Sequence, residues 1–377
     1  MVGPRAAGMA GAVTAAVDDA TAIWTNPAGL ARIDGINADL LASGLATNRN
    51  GFTGAIQRLS SLDLKEIVSN HDVAAVQQAV NDIQTLAAPG TGAVGSGIVG
   101  LVFAKGGFAI AIDDVAYAGA YPTIDLVRVL PVDDPNVGLA FNQTGASFAG
   151  LEAREARFSY ARAFFGKVLL VGGTLRYVNG RTYFFHESIF DLGSTDPVDL
   201  VREALKHNAH DTGKFTYDLG AMVNILGVAR VGLSSTSINE PEFTVANNPS
   251  DPTLVGAPAT IRLPRTFRAG VAAQPVGALT LAVDYDLRAT DTLIPGGKSR
   301  QLALGAEFKI PLFAFRAGAF RDSEAPDAHW AYSAGFGFGL DRVSVNLAAV
   351  LSTEGGASLS TTNRRDVGAG VDVKVRF

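Results

Sequence analysis

From about residue 214 onward, apolar and polar side chains alternate along the chain. In FTYDLGAMVNI, Phe215, Tyr217, Leu219, Ala221, Val223 and Ile225 share one face, and Thr216, Asp218, Gly220 and Asn224 share the other. A period of two sends successive side chains to opposite sides of a strand, so this segment is a strand with one dry face. The final segment repeats the pattern: Val367, Ala369, Val371, Val373, Val375 and Phe377 oppose Asp366, Gly368, Gly370, Asp372, Lys374 and Arg376. LTLAVDYDL, QLALGAEFKI, WAYSAGFGFGL and VSVNLAAVL follow suit, with Asp284, Asp286, Glu307, Lys309, Ser333, Gly335, Gly337 and Asn346 on the polar side.

A soluble sandwich would alternate in the same way, but two features argue against one. Many of these strands reach the roughly 9 to 11 residues that a tilted membrane strand needs, where an ordinary globular strand has about five or six. The connections also alternate in length, short turns such as LDR, KIPL, FFGK and KGG taking turns with long loops. That sorting is expected of an outer-membrane barrel and of no sandwich. The sequence therefore predicts an all-β fold, a transmembrane antiparallel β-barrel of about fourteen strands. The strands are placed near 36–47, 94–104, 107–119, 151–164, 167–185, 214–226, 228–238, 263–274, 279–290, 299–310, 312–320, 329–340, 343–353 and 365–377. Phe164 with Phe165, Tyr183 to Phe185, and Trp330 with Tyr332 are expected at the aromatic girdles.

Composition agrees. Of 377 residues, 47% are hydrophobic and 18% charged, yet no apolar run approaches the length of a membrane helix. The absence of cysteine excludes disulfides and thiolate chemistry. A net charge of −5 without a basic run argues against nucleic acid as a partner. MVGPRAAGMAGAV lacks a basic stretch followed by a leucine-rich one, so an exported chain of this sequence is expected to have had its signal peptide removed.

Two domains are expected. Residues 1–35, rich in Ala, Gly and Thr, precede the first strand and are read as a hatch that plugs the lumen. Residues 36–377 form the barrel with long extracellular loops, the first carrying a helical insertion at about 58–88 with Asp72 as N-cap. A shorter helix is expected from Pro197 to Lys206. Within the hatch, Asn26-Pro27 predicts a sharp corner at Thr25 to Ala28 between two short helices, the first capped by Asp18 or Asp19.

The stretch GMAGAVTAAVDDATAIWTNPAGLARI resembles the N-terminal plug of the FadL-type outer-membrane channels, with Asn26, Pro27 and Ala28 at its Asn-Pro-Ala motif and Asp18 and Asp19 at its paired acids. The resemblance implies a fourteen-stranded barrel that takes up hydrophobic small molecules passively, fatty-acid-like or hydrocarbon, and lets them leave sideways through the wall. PorV-like and TraF-like proteins share this N-terminal look. VGLSSTSINEPEF, RLPRTFRAGVA and the helical loop are more similar to the TraF-like group. That likeness implies the alternative of an accessory protein with a secretion or conjugation partner. The implied surroundings are outer-membrane lipid, and Phe377 resembles the C-terminal signal read by the barrel-assembly machinery.

Ile23 and Trp24 are candidate linings of a ligand path or of the hatch, with plain packing against the wall as the other reading. In the third strand, Asp113 and Asp114 interrupt the alternation before Tyr117. One acid on a lipid face costs up to roughly 2 to 4 kcal/mol at the midplane and little near the interface. Either a kink resolves this, or Asp114 lies near the interface. His207, His210 and Asp211 have ligand-like spacing but fall in an expected loop, so no metal site is expected. Asp284 and Asp286 are read as lumen packing neutralised by Arg268, Arg288 and Arg316. Gly335, Gly337 and Gly339 reflect strand alternation, no nucleophile or phosphate-loop motif occurs, and neither an enzyme nor a cofactor is expected.

Overall fold

The computed structural model describes residues 1–62, 70, 72–125, 144–188, 210–225, 227–245, 256–326, 328–340, 342–353 and 364–377. Fourteen antiparallel strands close into one barrel, the first pairing with the last. They are β1 (Ile36–Arg49), β2 (Gly92–Lys105), β3 (Phe108–Thr123), β4 (Gly145–Phe164), β5 (Leu169–Ser188), β6 (His210–Ile225) and β7 (Ala229–Thr236). The series continues with β8 (Thr266–Val276), β9 (Leu279–Asp286), β10 (Gln301–Lys309), β11 (Phe313–Asp322), β12 (Trp330–Leu340), β13 (Val343–Thr353) and β14 (Arg364–Arg376). Closure leaves no unpaired edge. Ile36 and Phe377 exchange both backbone hydrogen bonds and seal the seam.

The alternation sorts the two faces as expected. Ile110, Ile112, Leu175, Phe215, Val271, Phe315 and Leu347 point outward and are exposed, while their neighbours Ala111, Asp113, Arg176, Thr216, Ala272, Arg316 and Asn346 point inward and are buried. Phe108 with Tyr160, and Tyr177 with Phe215, form ring pairs at two heights of the outer wall. Tyr183, Phe184 and Phe185 do not join such a girdle. All three are buried.

Of the two readings of Asp113-Asp114, the kink leaves no register shift in β3. β3 holds unbroken register with β2 and β4 from Phe108 onward, and Asp113 and Asp114 occupy successive opposite faces. Asp113 turns inward to Arg157, and Asp114 turns outward beside Arg154. Two adjacent acids are tolerated because each meets a guanidinium on its own side of the wall.

The segment ahead of β1 is folded inside the barrel. It contains α1 (Gly3–Gly8), α2 (Ala22–Thr25) and a 3-10 helix (Pro27–Arg32). The corner at Asn26 forms as the dipeptide predicts, with the Asn26 side chain accepting from the Ala28 N–H. The start of α2 differs. Its N-cap is Thr21, and the Asp19 carboxylate instead accepts from the Thr21 N–H and hydroxyl. In the first long connection, α3 (Phe52–Ser60) starts earlier than the sequence suggested and packs on α4 (Val73–Leu86), which Asp72 caps through Ala74 and Ala75. The expected helix at Pro197 to Lys206 lies outside the described residues, as does His207. His210 and Asp211 belong to β6 and not to a loop.

Candidate functional site

The lumen is divided into two storeys. The lower one is filled by the N-terminal segment. Ala6, Ala7, Met9, Ala10, Ala12, Val13, Ala15 and Ala16 form a core of their own against the inward faces of Ala272, Ala282, Ala303 and Phe320. Such close contact requires the wall to give up side chains. A Cβ on Gly172 would lie 2.6 Å from the Pro27 carbonyl, one on Gly232 2.7 Å from the Thr14 carbonyl oxygen, and one on Gly318 2.6 Å from the carbonyl carbon of Met9. Gly220, Gly270 and Gly305 face the segment in the same way. The corner motif therefore rests on Gly172 and Gly220, where Asn26 also donates to the Thr14 carbonyl at 2.8 Å.

Ion pairs fix the segment laterally. Arg5 makes a two-point contact with Glu307, which Arg316 also holds, and reaches Asp18 at 2.6 Å. Lys374 Nζ binds Asp19 at 2.9 Å and lies 3.3 Å from both Asp39 and Asp372, so one ammonium serves three buried carboxylates. Burial by itself would raise the Asp19 carboxyl, but Lys374 and then Arg5 hold it well below the ordinary carboxylate range. Asp284 accepts the Val13 and Thr14 N–H groups at 3.0 and 2.8 Å. Of the arginines expected to neutralise Asp284 and Asp286, one does so and two do not. Arg268 pairs with Asp286, Arg316 with Glu307, and Arg288 is exposed.

The upper storey is a cavity of about 860 Å³. Trp24 lies at its boundary with the segment. Ile98, Val115, Tyr117, Tyr121 and Leu151 supply one wall, and Leu263, Leu293 and Ile294 come from the connections on the long-loop side. The tip at Leu293 and Ile294 reaches across to β2 and β3, where Gly92 and Gly119 leave room for it. Residues 290–291 pair with 298–299 to hold that tip in a small hairpin.

The two storeys meet at Asp113. Its Oδ1 accepts from Trp24 Nε1 at 2.9 Å and from Arg157 Nε at 2.8 Å. Behind them, Arg157 reaches Glu155 at 2.6 Å, and Arg176 bridges Glu155 and Asp218 at 2.7 and 3.1 Å. Of the residues marked in the sequence, the structure brings Trp24, Asp113 and Tyr117 together at this junction. Ile23 is fully buried in packing, Asn26, Pro27 and Ala28 form the corner beneath, and Asp114 stands outside. The inward glycines and Arg157 carried no sequence motif. Their signal was positional, since glycine recurred on the polar face of strands whose lumen had to admit an alanine-rich segment.

Among the described residues no cluster of acids and histidines is arranged to hold a metal ion. The family described as "F plasmid transfer operon, TraF, protein" matches residues 23–286. No curated protein matches the chain. Among solved structures, the Ralstonia pickettii toluene transporter TbuX is 15% identical with a TM-score of 0.57, over 100% of this chain and 98% of that one. The CymD monoaromatic hydrocarbon channel is 13% identical with a TM-score of 0.54, over 100% and 97%. The P. putida toluene transporter TodX is 13% identical with a TM-score of 0.52, over 100% and 98%. At these identities the likeness is one of fold.

Proposed function

The chain belongs to the family of the F plasmid transfer operon TraF protein, and from its two-storey lumen we propose that it is an outer-membrane channel for hydrophobic small molecules. The observation that carries this reading is the cavity, mainly apolar along β2 and β3, polar on the facing side at Arg268, Asp286 and Gln301, and floored by Trp24 of the N-terminal segment. A closed barrel whose outward side chains are apolar and exposed needs lipid around it. Residues 1–35 act as the hatch, and a solute that enters from the long-loop side meets that hatch before any aqueous exit. The hydrocarbon and toluene channels that share this fold support the same reading.

We place the way out in the wall, beside β2, and not past the hatch. A groove on the outer face and the inner cavity share Ser43, Gly97 and Ile98, so the wall between them is one backbone thick at Gly97. This replaces the β3 kink as the place for lateral passage. Uptake of hydrocarbons and fatty acids by cells with and without the protein tests the proposal. A faster initial rate with the protein is expected, and equal rates for every apolar solute would refute it.

The family match also favours a second reading, an accessory protein that holds a conjugation or secretion partner through its long loops. Pull-down from solubilised outer membranes separates the two. A stoichiometric protein partner supports the second reading, and co-purified apolar molecules in the lumen support the first.

A further inference from the structure

The connection between β9 and β10 leaves one side of the barrel and ends on the other. These two strands stand opposite β2 and β3 in the closed ring, so a tip that sets out from Asp286 and touches Gly92 and Gly119 spans the mouth along a diameter. On the inward face of β3, Gly119 lies between Tyr117 and Tyr121 and makes a notch in an otherwise bulky wall. Leu293 fills that notch. A Cβ on Gly119 would lie 2.5 Å from the Leu293 Cβ, and one on Gly92 would lie 2.8 Å from the Ile294 Cδ1. Ile294 is 2% exposed and belongs to the apolar cluster of Ile98, Val115 and Tyr121.

The two ends of this strap are held differently. At its base, Arg49 donates to the Lys298 carbonyl at 2.8 Å, the Arg300 N–H to Asp322 at 2.8 Å and the Gln301 N–H to Asp286 at 2.9 Å. The tip is braced upon itself, by the Thr292 N–H on the Gly297 carbonyl at 2.9 Å and the Gly297 N–H on the Ile294 carbonyl at 2.8 Å. Among the described residues, no hydrogen bond or ion pair joins residues 292–297 to β2 or β3. The seat is therefore an apolar contact without directional bonds, and another apolar molecule is able to take it over. The hatch beneath is different in kind, because ion pairs fix it and an apolar solute offers no substitute for those.

We propose that Leu293 and Ile294 are a built-in occupant of the solute's outer binding position, and that an apolar solute enters by taking their place at the Gly119 notch. This rests on the channel reading and adds to it the step by which the mouth opens. It also makes entry selective. A strongly hydrated solute gives up water to enter an apolar notch, which is unfavourable, so it leaves the tip seated.

Because the chain has no cysteine, Ile294→Cys puts a single thiol on the tip and leaves Leu293 in the notch. In membranes, its labelling by a charged, membrane-impermeant maleimide is followed with no addition, with cyclohexane, with decane and with glycerol. Labelling is expected to be slow with no addition or with glycerol, and about tenfold faster with either hydrocarbon, as the population shifts to the displaced tip. Ala15→Cys in the hatch, labelled in parallel, is expected to stay unreactive, which separates displacement of the tip from loosening of the whole barrel. Gly119→Leu fills the notch from the wall side, so in that background Ile294→Cys should label at the fast rate with nothing added. Equal labelling with and without hydrocarbon, equal acceleration by glycerol, exposure of Ala15→Cys along with the tip, or slow labelling in the Gly119→Leu background would overturn the inference. Uptake by cells carrying the unsubstituted protein is measured alongside. Uptake with an unresponsive tip removes the strap and keeps the channel, whereas no uptake of any apolar solute removes the channel reading and the inference with it.

Discussion

The lower and upper storeys of the lumen are built from the same strands, and they solve opposite problems. Below, the wall is stripped to glycine at Gly172, Gly220, Gly232 and Gly318, so that an alanine-rich segment lies at backbone distance, and the segment's charges are matched by Glu307 and Lys374. Above, the wall keeps Ile98, Val115, Tyr117, Tyr121 and Leu151 and stands back from the segment around a cavity of about 860 Å³. A surface complementary down to the backbone suits a permanent occupant. A surface that leaves room suits a transient one.

The sharpest way to break the lower storey is Lys374→Met, which leaves Asp19, Asp39 and Asp372 buried around no cation. Removing one partner of a buried ionic cluster costs about 3–5 kcal/mol. The temperature at which the barrel loses its compact gel mobility should fall steeply at pH 8 and much less at pH 5, where the orphaned acids take up protons. In the wild type the Asp19 contribution has the opposite sign. Asp19 is held well below the ordinary carboxylate range, so its contribution is present above that range and is lost only in strong acid, as pH falls through the lowered value. A Lys374→Met barrel as stable as the wild type at pH 8 would show that the cluster does not hold the segment.

Next in size is Gly172→Leu. The added side chain meets the Pro27 backbone, which has no rotamer with which to retreat. Overpacking of this kind costs about 1–3 kcal/mol. The corner should lift from the wall, and limited proteolysis should then cut within the segment while the strands stay protected. Resistance equal to that of the wild type would mean that the corner is not seated on Gly172.

These two regions differ in how far the sequence announces them. Period-two alternation, loop lengths and the terminal Phe377 were enough for fourteen strands and their order, because the dry outer face imposes its pattern on every strand. The Asn26-Pro27 corner was legible because both residues act on their own backbone. The fate of Asp113 and Asp114 was not, since it depended on Arg157 and Arg154 arriving from another strand, and a kink and a pair of guanidiniums look alike from one strand's residues. Helix α2 was misjudged for the same reason. Asp19 looked like a cap, but it is drawn to Lys374, more than 350 residues away. The resemblance to FadL-type channels holds at the level of the fold, and the match to the TraF family sets the more specific kinship.

A smaller effect probes the junction of the two storeys. Trp24→Phe removes one hydrogen bond from Asp113, which keeps Arg157. A loss of about 1 kcal/mol is expected, read as a modest fall in unfolding temperature. A loss as large as that of Lys374→Met would make the junction, and not the ionic cluster, the main anchor. Smallest of all is Asp114→Val, on the outer face. With β3 already in unbroken register, stability should change by no more than about 0.5 kcal/mol and uptake should be unaltered. Altered uptake would restore a gating role to that position.

The contrast between a filled and an open storey is tested most directly by thiol accessibility, for the chain contains no cysteine of its own. Val115→Cys places a thiol on the cavity wall, and Ala15→Cys places one between the segment and the strands. Treated in membranes with an apolar alkylating reagent, the first thiol should react, and an excess of an uncharged apolar solute should slow it. The second should stay unreactive until the barrel is unfolded. Equal reaction of the two, or reaction at Val115→Cys that no apolar solute slows, would contradict the account.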